Sequence, residues 1–193
     1  MEVGSVADIT ENHLRKGSQI AVRASGEEYL KGLTEMVNRM TREKGARGLF
    51  VSTMWSANAL SRRISFPKLP QNSMRVIDTV SLSIGSKLVN NPDFVFLPNP
   101  VPLESLLVVI ERSLRDPAFE VNFLIFDSLS FFRRYYTQGQ LNEFFNYIMN
   151  RMLEEEVNLI VMDQNPEVED GLSRMMDSTM DRVIKIGKGG EKK

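Results

Sequence analysis

The chain contains no cysteine, which excludes disulfides, thiolate zinc sites, iron–sulfur clusters and cysteine nucleophiles at once. Histidine is nearly as scarce. The single imidazole, His13, stands among Glu11, Asn12 and Arg15, with no second one for a metal pair or a catalytic dyad, and it reads as exposed and inert. Charge of one sign is missing too: 24 basic residues oppose 25 acidic ones, for a net charge of -1. No global field therefore draws the chain to DNA or to an anionic membrane. No stretch approaches the roughly 20 apolar residues that cross a bilayer, and MEVGSVADITENHLRKG lacks the apolar segment of a secretory signal. The expectation is a soluble, cytoplasmic protein with no membrane partner. What is present is 193 residues with 42% hydrophobic content, enough to bury one substantial core.

The hydrophobic pattern changes period along the chain. Gln19 to Ala24 is a short β-prone run bounded by Gly17 and Gly26, and it predicts a strand. Leu30, Leu33, Met36, Val37 and Met40 then recur at three and four residues, which predicts an amphipathic helix over 27–44, stopped by Gly45. Residues 48–53 restore a strand, and Ser56 is placed to cap a short helix running to about Arg63. Prolines at 67, 70, 92, 98, 100 and 102 break the next region into short pieces. Candidate strands there are 74–80 and 94–97, ahead of a helix over 103–115. Phe123-Leu124-Ile125-Phe126 and Asn158-Leu159-Ile160-Val161-Met162 are continuously apolar rather than alternating, the mark of parallel strands buried on both faces. A helical region over 130–154 separates them, and a last helix and a strand over 182–187 follow. The methionines at 36, 40, 149, 152, 175, 176 and 180 fall at helical spacing and read as adaptable core filler. Strand and helix alternate throughout, which implies a mostly parallel sheet covered by helices on both faces. Residues 17–187 read as one domain, with a lead-in over 1–16 and a flexible basic tail over 188–193.

Leu14-Arg15-Lys16-Gly17-Ser18, leading into the first strand, and Phe123-Leu124-Ile125-Phe126-Asp127-Ser128-Leu129 resemble the RecA/KaiC family. There the first segment precedes the phosphate-binding turn, and the second is the Walker B strand. The likeness runs over about 14–187 and implies a three-layer α/β/α RecA-like fold. In active relatives the first strand enters a glycine-rich turn whose amides cradle phosphates, followed by Lys and Ser/Thr. Laid on the family turn G-x-x-G-x-G-K-T, this chain reads Arg23-Ala24-Ser25-Gly26-Glu27-Glu28-Tyr29-Leu30. One glycine survives. Tyr29 stands where the resemblance puts a lysine for the β- and γ-phosphates, and Leu30 replaces the hydroxyl that ligates magnesium. Glu27 and Glu28 add negative charge whose repulsion of a phosphate at about 4 Å ranges from ~1 kcal/mol in water to several in a partly buried site. With Ser25 or Gly26 as N-cap, the same glutamates sit well against a helix dipole. Asp127 and Ser128 match Walker B, but without the phosphate turn Asp127 reads as a strand-end residue that helps cap the next helix. After the second strand, Ser52-Thr53-Met54-Trp55-Ser56-Ala57-Asn58 offers no carboxylate where relatives carry a water-activating acid. Gln164 falls where relatives carry a polar sensor.

These losses imply a non-catalytic pseudo-ATPase, with no cofactor and no metal, that pairs with itself or with an active relative as a regulator or scaffold. Two alternatives stay open. One is an ATP-binding protein in which Asp127 holds magnesium and Arg23 or Lys31 replaces the lysine. The other is a single-stranded nucleic-acid factor acting through Phe131-Phe132-Arg133-Arg134-Tyr135-Tyr136, where paired aromatics flank paired arginines. The competing reading of that segment buries Phe131, Phe132 and one tyrosine and leaves both arginines in water. Trp55 is a candidate plug for the vacated cleft or an anchor for a partner. Asp163, Glu167, Glu169 and Asp170 form an acidic loop that is either a cation site or a solvated helix entry.

Overall fold

Phe123–Asp127 and Asn158–Asp163 lie side by side as parallel strands, and nearly every residue in them is buried. They form the centre of an eight-stranded sheet. Its strands are β1 (Glu2–Val3), β2 (Gln19–Ala24), β3 (Gly48–Ser52), β4 (Met74–Asp78), β5 (Phe94–Phe96), β6 (Phe123–Asp127), β7 (Asn158–Asp163) and β8 (Arg182–Ile186). The order is β1-β8-β2-β7-β6-β3-β4-β5, and every neighbouring pair is parallel. The computed structural model describes residues 2–3, 15–42, 45–64, 69, 72–88, 90–165 and 167–186. His13, most of the expected lead-in and the tail over 188–193 lie outside them.

Among the described residues the helices are α1 (Gly26–Met40), α2 (Ala57–Arg63), α3 (Leu103–Leu114), α4 (Leu129–Tyr135), α5 (Gln138–Glu154) and α6 (Gly171–Thr179). The region expected as one helix over 130–154 is thus two. The chain turns extended at Tyr136, and Thr137 restarts it with a capping box in which its side chain and that of Gln140 satisfy each other's backbone amides. The expected helix over 27–44 stops at Met40.

Side chains alternate across a strand, so each strand feeds two cores. Leu124 and Phe126 of β6 and Leu159 and Val161 of β7 pack under α3, α4, α5 and α6. Phe123, Ile125, Ile160 and Met162 pack under α1 and α2. Phe132 of α4 stands at the centre of the first core, fully buried, with Phe126, Phe144 and Phe145 around it at ring separations of 5.9 to 6.1 Å. The architecture is therefore three-layer α/β/α with an all-parallel sheet, and among the described residues four helices lie on one face and two on the other. From β3 the chain crosses one face through α2 to β4, and from β6 it crosses the other through α4 and α5 to β7. The two paths part between β3 and β6, and a doubly wound sheet presents its ligand crevice at such a point, beyond the strand C-termini.

Candidate functional site: the β3–β6 crevice

Three strands reach this edge with an aspartate as their last residue: Asp78 on β4, Asp127 on β6 and Asp163 on β7. All three are buried, at 0%, 0% and 1% exposure. Register decides which face each serves. Asp78, Ser52 and Asp127 are aligned across β4, β3 and β6, whereas Asp127 is aligned with Met162 and Asp163 lies one residue further on. By the alternation of the pleat, Asp127 projects with Phe123 and Ile125 toward α1, and Asp163 projects with Leu159 and Val161 toward α4 and α6. Neighbouring strands thus send their carboxylates to opposite sides.

The start of α1 fills the crevice. β2 ends at Ala24 and α1 begins at Gly26, so Ser25 alone joins them. A phosphate-cradling turn needs several non-helical residues whose amides converge on the anion, and one residue cannot supply them. Ser25 takes the N-cap position in extended conformation without a capping hydrogen bond from its side chain, and Gly26 has φ +55, which glycine adopts without strain. Glu27 is exposed and Glu28 half-buried in the first turn. Tyr29, at 2% exposure, turns its ring onto the sheet, and its hydroxyl donates a hydrogen bond to Asp127 Oδ1. The second oxygen, Asp127 Oδ2, is buried and has no partner among the described residues.

Burial sets the charge of this pair. Removal from water pushes the Asp127 carboxyl up to about 7, against the opposing pull of the Tyr29 hydrogen bond. The Tyr29 hydroxyl is pushed well above its ordinary value by burial first and by Asp127 second. Asp127 is a hydrogen-bond acceptor for α1, and the expectation that it caps the next helix is corrected: Ser128 occupies that N-cap position, with no capping bond from its side chain. The β3 and β6 ends are stitched instead by Thr53, whose backbone amide and hydroxyl both donate to the Asp127 carbonyl, at 2.7 and 2.8 Å. The hydroxyl in turn accepts from the Ser128 amide at 2.9 Å.

Several candidates fall elsewhere. Arg23, offered as a substitute for the missing lysine, is buried at 4% exposure and projects to the opposite face from Tyr29. There its guanidinium meets Asp177 at 2.7 Å and the Ser173 carbonyl at 3.1 Å. Lys31 points to solvent and meets Glu28 at 3.4 Å. Gln164 is half-buried just beyond β7. Trp55 does not plug the crevice, since Tyr29 does; the indole packs beside the α1 core, with the Arg63 guanidinium 4.1 Å above its ring.

The aromatic–arginine segment divides the same way. Phe132 is in the core, Phe131 and Tyr136 are half-buried against it, and Tyr135 is exposed at 45%. Arg134 is solvated, but Arg133 is not, which corrects the expectation that both arginines stay in water. Its guanidinium bonds Asp163 Oδ1 at 2.8 Å, Asp170 Oδ2 at 2.7 Å and Ser173 Oγ at 2.8 Å. Burial opposes its charge, and the two carboxylates more than offset that, holding its pKa above the ordinary value. This clamp also removes the cation reading of the acidic loop, because Asp163 and Asp170 are committed to Arg133. Among the described residues, no cluster of three or more His, Cys, Asp or Glu is arranged to hold a metal ion.

Asp78 was missed by reasoning from sequence. Its oxygens accept from the amides of Ala57, Val80 and Ser81 and from the Ser81 hydroxyl, at 2.6 to 2.9 Å. A carboxylate with four donors fixes the loop after β4 and the start of α2 and has no lone pair directed at a water. The signal was present in the sequence, since Val76-Ile77-Asp78 repeats the apolar-run-then-Asp pattern of β6 and β7.

Among the described residues, no helix is long and apolar enough to cross a membrane. No known protein-family model matches this chain, and no curated protein matches it. Among solved structures, it is similar to a KaiC-like protein from the hyperthermophilic archaeon Pyrococcus horikoshii, with a TM-score of 0.63 at 13% identity over 98% of this chain and 81% of that one. The fold of this chain, a parallel sheet between helical layers with its crevice between β3 and β6, is the fold of a KaiC-like protein.

Proposed function

We propose that this protein is a pseudo-ATPase: a KaiC-like domain that keeps the fold, holds no nucleotide in the crevice, and works as a scaffold or regulator by associating with itself or with an active relative. The contact between Tyr29 and Asp127 carries the reading. It sets a phenol against the carboxylate at the switch point, where the family resemblance implies an ammonium and a magnesium ion. The one-residue junction between β2 and α1 supports it independently, because the space for a phosphate turn is closed by backbone and not only by altered side chains. Arg23 facing the other side of the sheet weighs against an unconventional ATP site. The burial of Phe132 and Arg133 weighs against a nucleic-acid platform on α4.

Millimolar ATP with magnesium is expected to leave the melting temperature unchanged, whereas a ligand at 100 times its Kd would stabilise the fold by about 2.7 kcal/mol. A clear upward shift that Asp127→Ala abolishes would defeat the reading. The variant Tyr29→Lys/Leu30→Thr, which restores the two side chains without the loop, is expected to gain no ATP binding in the same assay. If it did bind, side-chain loss alone would explain the inactivity. Light scattering on the purified chain, with a pull-down from extract, tests the association. A strict monomer that captures nothing would count against the scaffold role.

A further inference from the structure

A groove of about 690 Å³ runs along the outer face of α1 and reaches the end of α2 at Arg63. Among the described residues its lining is not apolar: four cations, Lys31, Arg39, Arg42 and Arg63, stand against two carboxylates, Glu27 and Glu35.

We propose that this groove docks an acidic segment of a partner protein, held by Arg42 and Arg63 and seated on Leu30, Thr34 and Asn38. Local pairing singles out the two arginines. Lys31 is engaged with Glu28 at 3.4 Å and Arg39 with Glu35 at 2.8 Å, both within α1. Arg42 and Arg63 are exposed and form no ion pair among the described residues. Arg63 is nevertheless oriented, because it stacks 4.1 Å over the Trp55 ring. Stacking uses the face of a guanidinium and leaves its N–H fork directed outward for a carboxylate. Leu30, Thr34 and Asn38 follow at spacings of four and form one stripe down the helix between the charges. A phosphate backbone fits less well: Glu27 and Glu35 repel it, and among the described residues the lining contains no aromatic ring on which a base could stack.

The inference draws on the scaffold reading for the existence of a partner, but the groove is separate from the crevice, since Tyr29 faces the sheet and the groove lies on the opposite side of α1. The test uses the whole chain. A fluorescein-labelled helical peptide of about fifteen residues, matching the roughly 22 Å of α1, carries Glu and Leu on one face and Ala elsewhere. It is titrated at about 50 mM salt, where screening is weak, beside its Lys-for-Glu counterpart and an oligothymidylate. The glutamate peptide is expected to bind, to change the emission of Trp55, the only tryptophan in the chain, and to weaken roughly tenfold or more in Arg42→Glu/Arg63→Glu. Arg42→Gln/Arg63→Gln is expected to weaken it less, and Arg134→Glu, on α4, not at all. Unchanged melting temperatures show that the variants fold. Absence of binding, equal binding by the charge-reversed variant or the lysine peptide, or preference for the oligonucleotide would overturn the assignment. An ATP-induced melting shift alongside intact peptide binding would remove the pseudo-ATPase reading and leave the groove standing.

Discussion

Asp127→Asn is expected to raise the melting temperature by roughly 8–16 °C at about pH 8.5, with the difference shrinking as the pH falls and closing near pH 4. The cause is the buried carboxyl, whose folded-state pKa is pushed up to about 7 from an unfolded value near 3.9. Between those two values the fold keeps a proton that the unfolded chain has released, so stability declines as pH rises through the interval and stays lower above it. About three pH units at 1.36 kcal/mol each amount to roughly 4 kcal/mol. For a domain of this size each kcal/mol moves the midpoint by about 2–4 °C. Asn has the same shape, still accepts the Tyr29 hydroxyl, and cannot ionise. Every other titrating group is common to the two proteins, so the comparison cancels it. Thermal melts of the pair from about pH 4 to 9 decide the matter. A difference that does not vary with pH would mean that the folded protein carries Asp127 ionised throughout, with some unrecognised cation beside it.

Arg133→Ala is expected to destabilise the protein by about 3–5 kcal/mol, and Arg134→Ala by less than about 0.5 kcal/mol, although the two arginines are adjacent. Removal of Arg133 leaves the carboxylate of Asp163, at 1% exposure, with no cation beside it. One of its oxygens already lacks a partner among the described residues. The other retains the Asn165 amide at 3.2 Å and the Ser130 hydroxyl at 3.4 Å. Asp170 loses a partner as well, but it is partly solvated and still caps α6 through the Ser173 amide at 2.7 Å. The double variant Arg133→Ala/Asp163→Asn should recover much of the loss by removing the stranded charge. Urea unfolding of the four proteins gives the comparison. Equal, small effects of the two single substitutions would mean that Arg133 is solvated and returned to the surface of α4.

Much of the architecture was legible because burial on two faces leaves a plain trace. Phe123 to Phe126 and Asn158 to Met162 are continuous apolar runs, and both are central parallel strands. The helix expected over 103–115 ends one residue earlier, at Leu114. The break at Tyr136 and Thr137 was overlooked although its signal was present, since Thr137 and Gln140 stand at the three-residue spacing of a capping box. Residue types showed that Tyr29 and Leu30 stand where the family resemblance implies a lysine and a hydroxyl. The occupant of the crevice could not: nothing in the spacing of Tyr29 and Asp127, 98 residues apart, says that one donates to the other.

Composition and hydrophobic period suffice to determine an α/β domain with a buried parallel sheet, and to exclude thiol and paired-histidine chemistry, because those properties depend on which residues exist and how often they recur. Tertiary structure alone decided the rest. Whether Arg23 faces the crevice or Asp177, and whether Arg133 is a surface cation or a buried clamp, turns on the parity of a position within its strand or helix and on the register of the neighbouring strand. A shift of one residue reverses the face, and that parity is fixed only when distant segments pair.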